Sequence, residues 1–248
     1  MLERVTTGIK GLDKLLGGGF GKGFLVEIAG SAGTYKSTFA LQFAIEGIRK
    51  KEKVTYISLE EPKESFERLA EDMNASEEFS KIDFQNVEVE ELTSLWYSSN
   101  ASHGTEEFAK VLLSMVEKPN RLVIDTTTTT ALYSSRTEVK TSGDGKSNFM
   151  IPSLGDIRIM LLYLADQLRK KNCTSLLLAE AGEGDLYLPE EMLKYICDGK
   201  IELRKSSLGT RTPRTLVVKK MRHINHTLDE QPIILTKDGL TIEEIEQS

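Results

Sequence analysis

Residues 25–38 have the composition and order of a loop that binds nucleotide phosphates. An apolar, β-favouring run ends at Gly30, a loop of small residues follows, and a helical pattern begins near Lys36. A strand, a glycine loop and a Lys-Ser pair at the start of a helix form the P-loop pattern. The backbone N–H groups and the positive end of the helix dipole in such a loop attract phosphate oxygens. The predicted nucleotide-binding residues are Gly30, Ser31, Ala32, Gly33, Thr34, Tyr35, Lys36, Ser37 and Thr38.

Three side chains of this loop determine what it could do. Lys36 is predicted to reach the β- and γ-phosphates, and the Ser37 hydroxyl to bind Mg²⁺. Tyr35 stands where the pattern has glycine. If that position requires a positive φ, a tyrosine there stores roughly 1–3 kcal/mol of backbone strain. The alternative is that the whole loop is a tight strand-to-helix turn that binds nothing.

Carboxylates follow two other apolar runs, as a nucleotide-hydrolysing site would require. Asp125 ends one run, and Glu60 and Glu61 end the run that follows the P-loop helix. The carboxyl ends of parallel strands meet at one edge of a sheet, so we expect these acids to lie near Lys36. Asp125 is predicted to bind Mg²⁺, and one of the glutamates to polarise the attacking water. The alternatives are a strand-end turn residue for Asp125 and a solvated helix cap for the glutamates.

Composition excludes some classes of function. The chain has 248 residues and a net charge of −6, which gives it no overall attraction to nucleic acids or acidic membranes. It contains no apolar run near the roughly 20 residues needed to span a bilayer, and its first residues lack a secretory signal. Cys173 and Cys197 are far apart, without the spacing of a zinc site or a disulfide framework, and are predicted to be core residues. We expect a cytosolic protein without a membrane partner.

Helical and strand patterns alternate along most of the chain, which indicates an α/β sheet with parallel central strands and an antiparallel C-terminal extension. We expect residues 1–248 to form one domain that ends in an acidic tail from Gly239 onward. The predicted strands cover about residues 24–29, 54–59, 82–89, 121–125, 173–179, 200–203, 214–221 and 232–235. The predicted helices cover about residues 36–49, 63–73, 106–117, 154–170 and 189–196, with a short one near 9–16.

The polar connection at residues 126–152 is rich in Ser, Thr and Gly and is long for a compact domain. We interpret it as a flexible loop. Its basic residues Arg136, Lys140 and Lys146 leave open a ligand in the channel of an oligomer. Ser and Thr residues within it leave open autophosphorylation, although the spacing selects none of them.

Several stretches resemble the KaiC-like branch of the RecA superfamily, which are ring-forming P-loop ATPases. The resemblance is carried by residues 7–20, by the P-loop and the helix after it, by Ser58-Leu-Glu-Glu and by Leu122-Val-Ile-Asp-Thr. Residues 218–226 are similar to the family's Lys-x-Arg-Gly-x-x-His segment. The resemblance covers nearly the whole chain and implies a RecA-like fold with one ATPase unit.

The resemblance also implies roles for particular residues. Glu60 and Glu61 match the family's catalytic carboxylate pair, Asp125 matches the Walker B acid, and Glu180 matches a polar sensor position. The residues that would sense nucleotide held by a neighbouring subunit are Lys220, Arg222 and His226. The resemblance therefore implies ATP and Mg²⁺ as ligands and a homo-oligomeric ring, commonly a hexamer.

Two departures from the family pattern bear on activity. Tyr35 puts phosphate geometry and turnover in doubt more than binding, and His223 replaces a glycine in the sensor segment, so that loop is expected to take another shape. The leading hypothesis is a slowly hydrolysing, ring-forming ATPase that acts as a switch. One alternative is a nucleotide-gated binding module with little turnover. Another is a single-stranded DNA binder similar to RadA relatives, which the acidic charge balance disfavours.

Overall fold

A computed structural model describes residues 2–87, 109–125, 154–181, 188–206 and 212–243 of the chain. Its strands are β1 (Arg4–Val5), β2 (Phe20–Gly21), β3 (Leu25–Gly30), β4 (Val54–Ser58), β5 (Asp83–Asn86), β6 (Arg121–Asp125), β7 (Thr174–Glu180), β8 (Gly199–Lys205), β9 (Arg214–Met221), β10 (Gln231–Thr236) and β11 (Gly239–Ile242). Its helices are α1 (Leu12–Leu15), α2 (Lys36–Arg49), α3 (Lys63–Asp72), α4 (Ser76–Phe79), α5 (Leu154–Lys170) and α6 (Leu188–Ile196). Residues 109–114 are also helical.

The described strands form a nine-stranded sheet in the order β11-β10-β9-β8-β3-β7-β6-β4-β5 and a separate two-stranded pair, β1-β2. The strands from β8 to β5 in this order are parallel, and β9, β10 and β11 continue the sheet in antiparallel pairing. The predicted fold class, a mostly parallel α/β sheet with a C-terminal antiparallel extension, is therefore confirmed.

Strand register places the predicted site at one edge of this sheet. In the parallel pairs Gly30 lies opposite Glu180, and Ser58 lies opposite Asp125. The P-loop after β3 and the acids at the ends of β4, β6 and β7 therefore share the carboxyl edge. Met221, at the end of antiparallel β9, pairs with Gly199 at the start of β8 and so lies at the opposite edge.

Alternating side chains of the sheet divide the core into two apolar clusters. On β3, Val26 belongs to one cluster and Leu25 to the other. Phe39 and Phe43 of α2 fill the first cluster, and Leu164 of α5 belongs to the second. Helices thus cover both faces and hold the central strands, including the one before the P-loop, in a dry interior.

The first residue of β6, Arg121, is a buried arginine that contacts the N-terminal segment and the helix after the P-loop. The Arg121 side chain is 1% exposed, and its Nη1 donates to the carbonyl oxygens of Thr6 at 2.7 Å and Phe43 at 3.0 Å. It also forms an ion pair with Glu52, and its guanidinium carbon lies 4.5 Å from the Phe43 ring centroid. Gly47 gives it room, since a Cβ there would lie 2.7 Å from the Arg121 side chain. This arrangement fixes the N-terminal segment and α2 on the sheet.

Most predicted elements of the described residues are confirmed, four of them with the predicted bounds: Lys36–Arg49, Arg121–Asp125, Leu154–Lys170 and Arg214–Met221. The predicted acidic tail from Gly239 is wrong at its start, because Gly239–Ile242 forms β11 and pairs with β10. That segment is short and ends in acids, so its strand character depends on the partner strand. The strand pair β1-β2 and the helix α4 were not predicted. The predictions for residues 126–152 lie outside the described residues.

Candidate functional site

The loop between β3 and α2 is held in shape by contacts of its own backbone and by close packing against β8. Thr34 Oγ1 donates to the Ser31 carbonyl oxygen at 2.8 Å. A Cβ placed on Gly30 would lie 2.6 Å from the Leu203 carbonyl oxygen, so glycine is required there. The loop then leads directly into the first turn of α2, as the P-loop pattern predicts.

Tyr35 adopts the left-handed conformation that its position in the pattern implied. Its φ is 74° and its ψ is 28°, and it forms the N-terminal cap residue of α2. For a bulky non-glycine residue, this conformation costs about 1–3 kcal/mol and persists where neighbouring groups hold it. The neighbouring group here is Arg214, whose guanidinium carbon lies 4.2 Å from the Tyr35 ring centroid.

The Lys36 side chain folds back over the loop. Its Nζ donates to the carbonyl oxygens of Gly30 at 2.8 Å and Ser31 at 3.2 Å. Burial lowers the pKa of Lys36, while the nearby carboxylates of Glu180 and Asp125 act in the opposite direction. A phosphate group entering the loop would offer this ammonium a stronger acceptor than a carbonyl oxygen.

Asp125 lies deep in the site, with two hydroxyl groups next to its carboxylate. Its side chain is buried, Tyr56 Oη donates to Oδ2 at 2.7 Å, and the Ser37 hydroxyl hydrogen-bonds the same carboxylate. Burial raises the pKa of Asp125 to about 6, against the effect of both hydrogen bonds. Mg²⁺ prefers oxygen ligands and commonly takes only one or two from the protein. The adjacent hydroxyl of Ser37 and carboxylate of Asp125 fit that ion.

Glu60 and Glu61 are exposed at the mouth of the site, and two polar side chains fix the backbone of Glu61. The Ser58 hydroxyl donates to the Glu61 carbonyl oxygen at 2.6 Å and accepts from its N–H at 3.2 Å. Asn86 Nδ2 also donates to the Glu61 carbonyl oxygen, at 3.1 Å. Both glutamates line the cavity, on a turn that these hydrogen bonds hold in place.

These groups share one cavity of about 370 Å³ at the carboxyl edge of the sheet. Its volume is within the range of small-molecule sites, about 300–1,000 Å³. Its lining residues include Lys36, Ser37, Glu60, Glu61, Asp125 and Glu180. The structure thus brings the loop, Ser37, Asp125, the glutamates and Glu180 together in one cavity.

The three predicted sensor residues, Lys220, Arg222 and His226, do not line this cavity. Lys220 Nζ donates to the carbonyl oxygens of Lys194 and Cys197 at the end of α6, at 2.9 and 2.7 Å. Arg222 Nη1 donates to Asp198 Oδ1 at 2.9 Å. His226 lines a different, open cavity of about 950 Å³. The chain's own fold therefore does not bring these residues to its P-loop.

His223 keeps the left-handed backbone in spite of its side chain. Its φ is 60°, within the region that favours glycine. The expectation that this loop takes another shape because glycine is absent is therefore wrong for the backbone at His223. Tyr35 behaves in the same way, so both departures from the family pattern retain a glycine-like φ.

The residues around the site that the sequence analysis missed include three polar side chains that hold the loop or Asp125. Lys205 Nζ donates to the Ala32 carbonyl oxygen at 2.7 Å, and Arg214 Nε donates to the Gly33 carbonyl oxygen at 2.9 Å. Lys205 ends β8 and Arg214 begins β9. The only sign in the sequence that they could contact the loop was their position on either side of a polar connection. Tyr56, which hydrogen-bonds Asp125, looked like an ordinary strand residue, and nothing in the sequence distinguished it.

Comparison with known proteins identifies the family. The model of the family described as KaiC ATPase matches residues 5–143 and 146–247. The chain belongs to the KaiC ATPase family. It is 28% identical to the UPF0273 protein PF1931 of Pyrococcus furiosus over 254 residues, which cover 98% of this chain and 94% of that protein. It is 27% identical to the circadian clock protein KaiC3 of a Synechocystis strain, covering 97% of this chain and 46% of that protein.

A solved structure shows the same fold. The KaiC-like protein PH0186 of Pyrococcus horikoshii superimposes with a TM-score of 0.75 at 26% identity, over 98% of this chain and 100% of that one. The resemblance to RecA-superfamily P-loop ATPases of the KaiC type is therefore confirmed. None of the helices in the described part of the chain has the length and apolar character needed to cross a membrane.

Proposed function

We propose that this protein binds ATP with Mg²⁺, hydrolyses it slowly, and works as a homo-oligomeric ring whose sites are completed by neighbouring subunits. Membership in an ATPase family supports nucleotide binding. The observation that carries the proposal is the single cavity lined by Lys36, Ser37, Asp125 and the glutamate pair. Phosphoryl transfer to water needs a phosphate cradle, metal-binding oxygens and a group that polarises water, and this cavity has candidates for all three.

The chemistry follows from the positions of these groups. The loop N–H groups and Lys36 would hold the β- and γ-phosphates once the ammonium leaves the Gly30 and Ser31 carbonyl oxygens. The Ser37 hydroxyl and the Asp125 carboxylate would hold Mg²⁺, which when bound would supply positive charge to neutralise the phosphates. One of the exposed glutamates would accept the proton of the attacking water.

A cation that stabilises charge on the transferred phosphoryl group would come from the next subunit in this proposal. Arg222 and Lys220 lie at the opposite edge of the sheet from the P-loop, which supports the proposal that they act on a neighbour's site rather than their own. In this chain both are held at the end of α6, where Arg222 pairs with Asp198. A ring would present them in fixed positions.

Phosphate release from Mg-ATP tests the enzymatic part of this proposal. Wild-type release that is lost in Lys36→Ala would support it, since Lys36 has no role in the apolar core. Absence of phosphate release from both the wild type and the Tyr35→Gly variant would contradict hydrolysis by this chain alone.

Subunit mixing tests the ring. Lys36→Ala lacks a working site but keeps Arg222, and Arg222→Ala has the reverse defect, so the mixture should recover activity that neither variant has. The matched control is Arg169→Ala, because Arg169 Nη2 also lies 3.2 Å from Asp198 but belongs to α5. Absence of recovery, together with a monomeric mass by sedimentation at the assay concentration, would refute the shared site.

A nucleotide-gated switch with little turnover is the second candidate, and the left-handed Tyr35 favours it. A strained loop residue can hold a site in a binding conformation that does not proceed to hydrolysis. In that case Tyr35→Gly should raise phosphate release well above that of the wild type while nucleotide affinity changes little. Equal turnover in both proteins would exclude this reading.

A further inference from the structure

The strained residue of the P-loop and the C-terminal part of the sheet meet in a contact that the proposed function does not explain. Arg214, the first residue of β9, stacks its guanidinium on the Tyr35 ring at 4.2 Å and donates from Nε to the Gly33 carbonyl oxygen at 2.9 Å. The two interactions use different parts of one rigid, planar group. Arg214 therefore contacts the residues on both sides of Thr34, Gly33 and Tyr35.

A second cation supports the same loop. Lys205 is paired with Arg214 across β8 and β9, and its Nζ donates to the Ala32 carbonyl oxygen at 2.7 Å. Like charges directly opposite in a sheet repel, so this pair is favourable only because the loop supplies acceptors. The two neighbouring cations hold two consecutive carbonyl groups of the loop.

Holding those carbonyl groups also orients N–H groups. In a trans peptide the C=O of one residue and the N–H of the next point in opposite directions. With the Ala32 and Gly33 carbonyl oxygens directed toward the β8–β9 side, the N–H groups of Gly33 and Thr34 point away from that side. Phosphate-binding loops present N–H groups to the ligand, so this orientation favours binding.

We infer that Arg214 is a positioning residue that keeps Tyr35 and the P-loop in the phosphate-binding conformation. Glycine at this position would adopt a positive φ without strain, whereas Tyr35 requires a group that holds it there. Without Arg214, Tyr35 would relax toward negative φ in part of the molecules. Apparent nucleotide affinity would fall by the fraction of loops that remain competent.

A double-mutant cycle on binding of Mg²⁺ with a slowly hydrolysed ATP analogue tests this inference. Arg214→Gln should weaken binding about tenfold in the wild-type background, since it removes the contacts that hold Tyr35 at positive φ. In the Tyr35→Gly background the same change should weaken binding less than about twofold. Tyr35→Phe should keep the full coupling to Arg214→Gln, because stacking uses the ring and not the hydroxyl.

The control is Arg204→Gln, which removes an arginine of β8 that pairs with Glu202 and Glu230 rather than with the loop. It should leave affinity unchanged. An equal loss of affinity from Arg214→Gln in both Tyr35 backgrounds would overturn the inference, because Arg214 would then contact the nucleotide directly.

The binding arm depends on the proposed nucleotide site, so a second arm uses the protein without nucleotide. Urea unfolding should show that Arg214→Gln raises the unfolding equilibrium constant about fivefold beside Tyr35 and less than about twofold beside Gly at that position. If no variant binds nucleotide but this coupling is present, the proposed function fails and the positioning contact stands. If the effects of the Arg214 and Tyr35 substitutions on unfolding in urea are additive, the proposed stabilising contact between the two residues is refuted.

Discussion

Replacing Asp125 by asparagine should stabilise the metal-free, nucleotide-free protein at neutral pH. The side chain is 6% exposed, and burial raises its pKa from 3.8 to about 6. A pKa difference of that size corresponds to about 3 kcal/mol between the ionised and protonated forms. The amide of asparagine carries no charge, and its oxygen can still accept the hydrogen bond from Tyr56 Oη.

The effect should depend on pH in a defined way. Below about pH 4 the carboxyl group is protonated in the folded and the unfolded protein alike, so the two proteins should be equally stable. Between about pH 4 and pH 6 the unfolded chain releases its proton first, and the folded wild type loses stability. Above about pH 6 the Asp125→Asn protein should be more stable by up to about 3 kcal/mol.

Urea unfolding between about pH 4.5 and pH 8, in the presence of a chelator, measures this difference. The control is Glu60→Gln, because Glu60 lies exposed in the same cavity, and its replacement should change stability by less than about 0.5 kcal/mol at every pH. A difference for Asp125→Asn that does not vary with pH, or a less stable variant at about pH 8, would refute the assignment of the raised pKa to burial.

Three further predictions concern the scaffold. Arg121→Ala should lower the free energy of unfolding by about 3–5 kcal/mol in urea, because it removes a fully buried cation and its contacts, whereas Arg49→Ala at the surface should cost under about 1 kcal/mol. Gln42→Leu should cost about 2–4 kcal/mol by calorimetry, since its amide bonds to backbone groups of both terminal segments, and a shift within error would contradict that role. Cys173 and Cys197 should resist a thiol reagent at about pH 8 until the protein unfolds, because both are buried and burial raises the pKa of each thiol; fast labelling of folded protein would show otherwise.

The sequence by itself determined the elements whose information is local. The apolar run before Gly30 and the Lys36–Ser37 pair predict a strand, a loop and a helix from adjacent residues, and the helix has the predicted bounds. The sequence also raised a positive φ at Tyr35 as a condition, because the pattern has glycine at that position, and the observed φ of 74° meets it. The common edge for Asp125 and the glutamates followed from a general property of parallel sheets.

Tertiary structure decided which distant side chains meet. Lys205 and Arg214 reach the P-loop because β8 joins β3 and β9 joins β8, and this pairing links residues more than 170 positions apart. Tyr56 binds Asp125 because β4 and β6 are neighbours in the sheet.

The same long-range pairing determined the environment of each charge. Because β9 runs antiparallel to β8, its end, with Lys220 and then Arg222, lies away from the P-loop. The start of the expected tail is a strand because it pairs with β10. A raised pKa at Asp125 required the burial that only the assembled core provides. Residue types and spacing record which chemistry is available, whereas hydrogen-bonded strand order and burial determine where that chemistry is placed and how strongly it is perturbed.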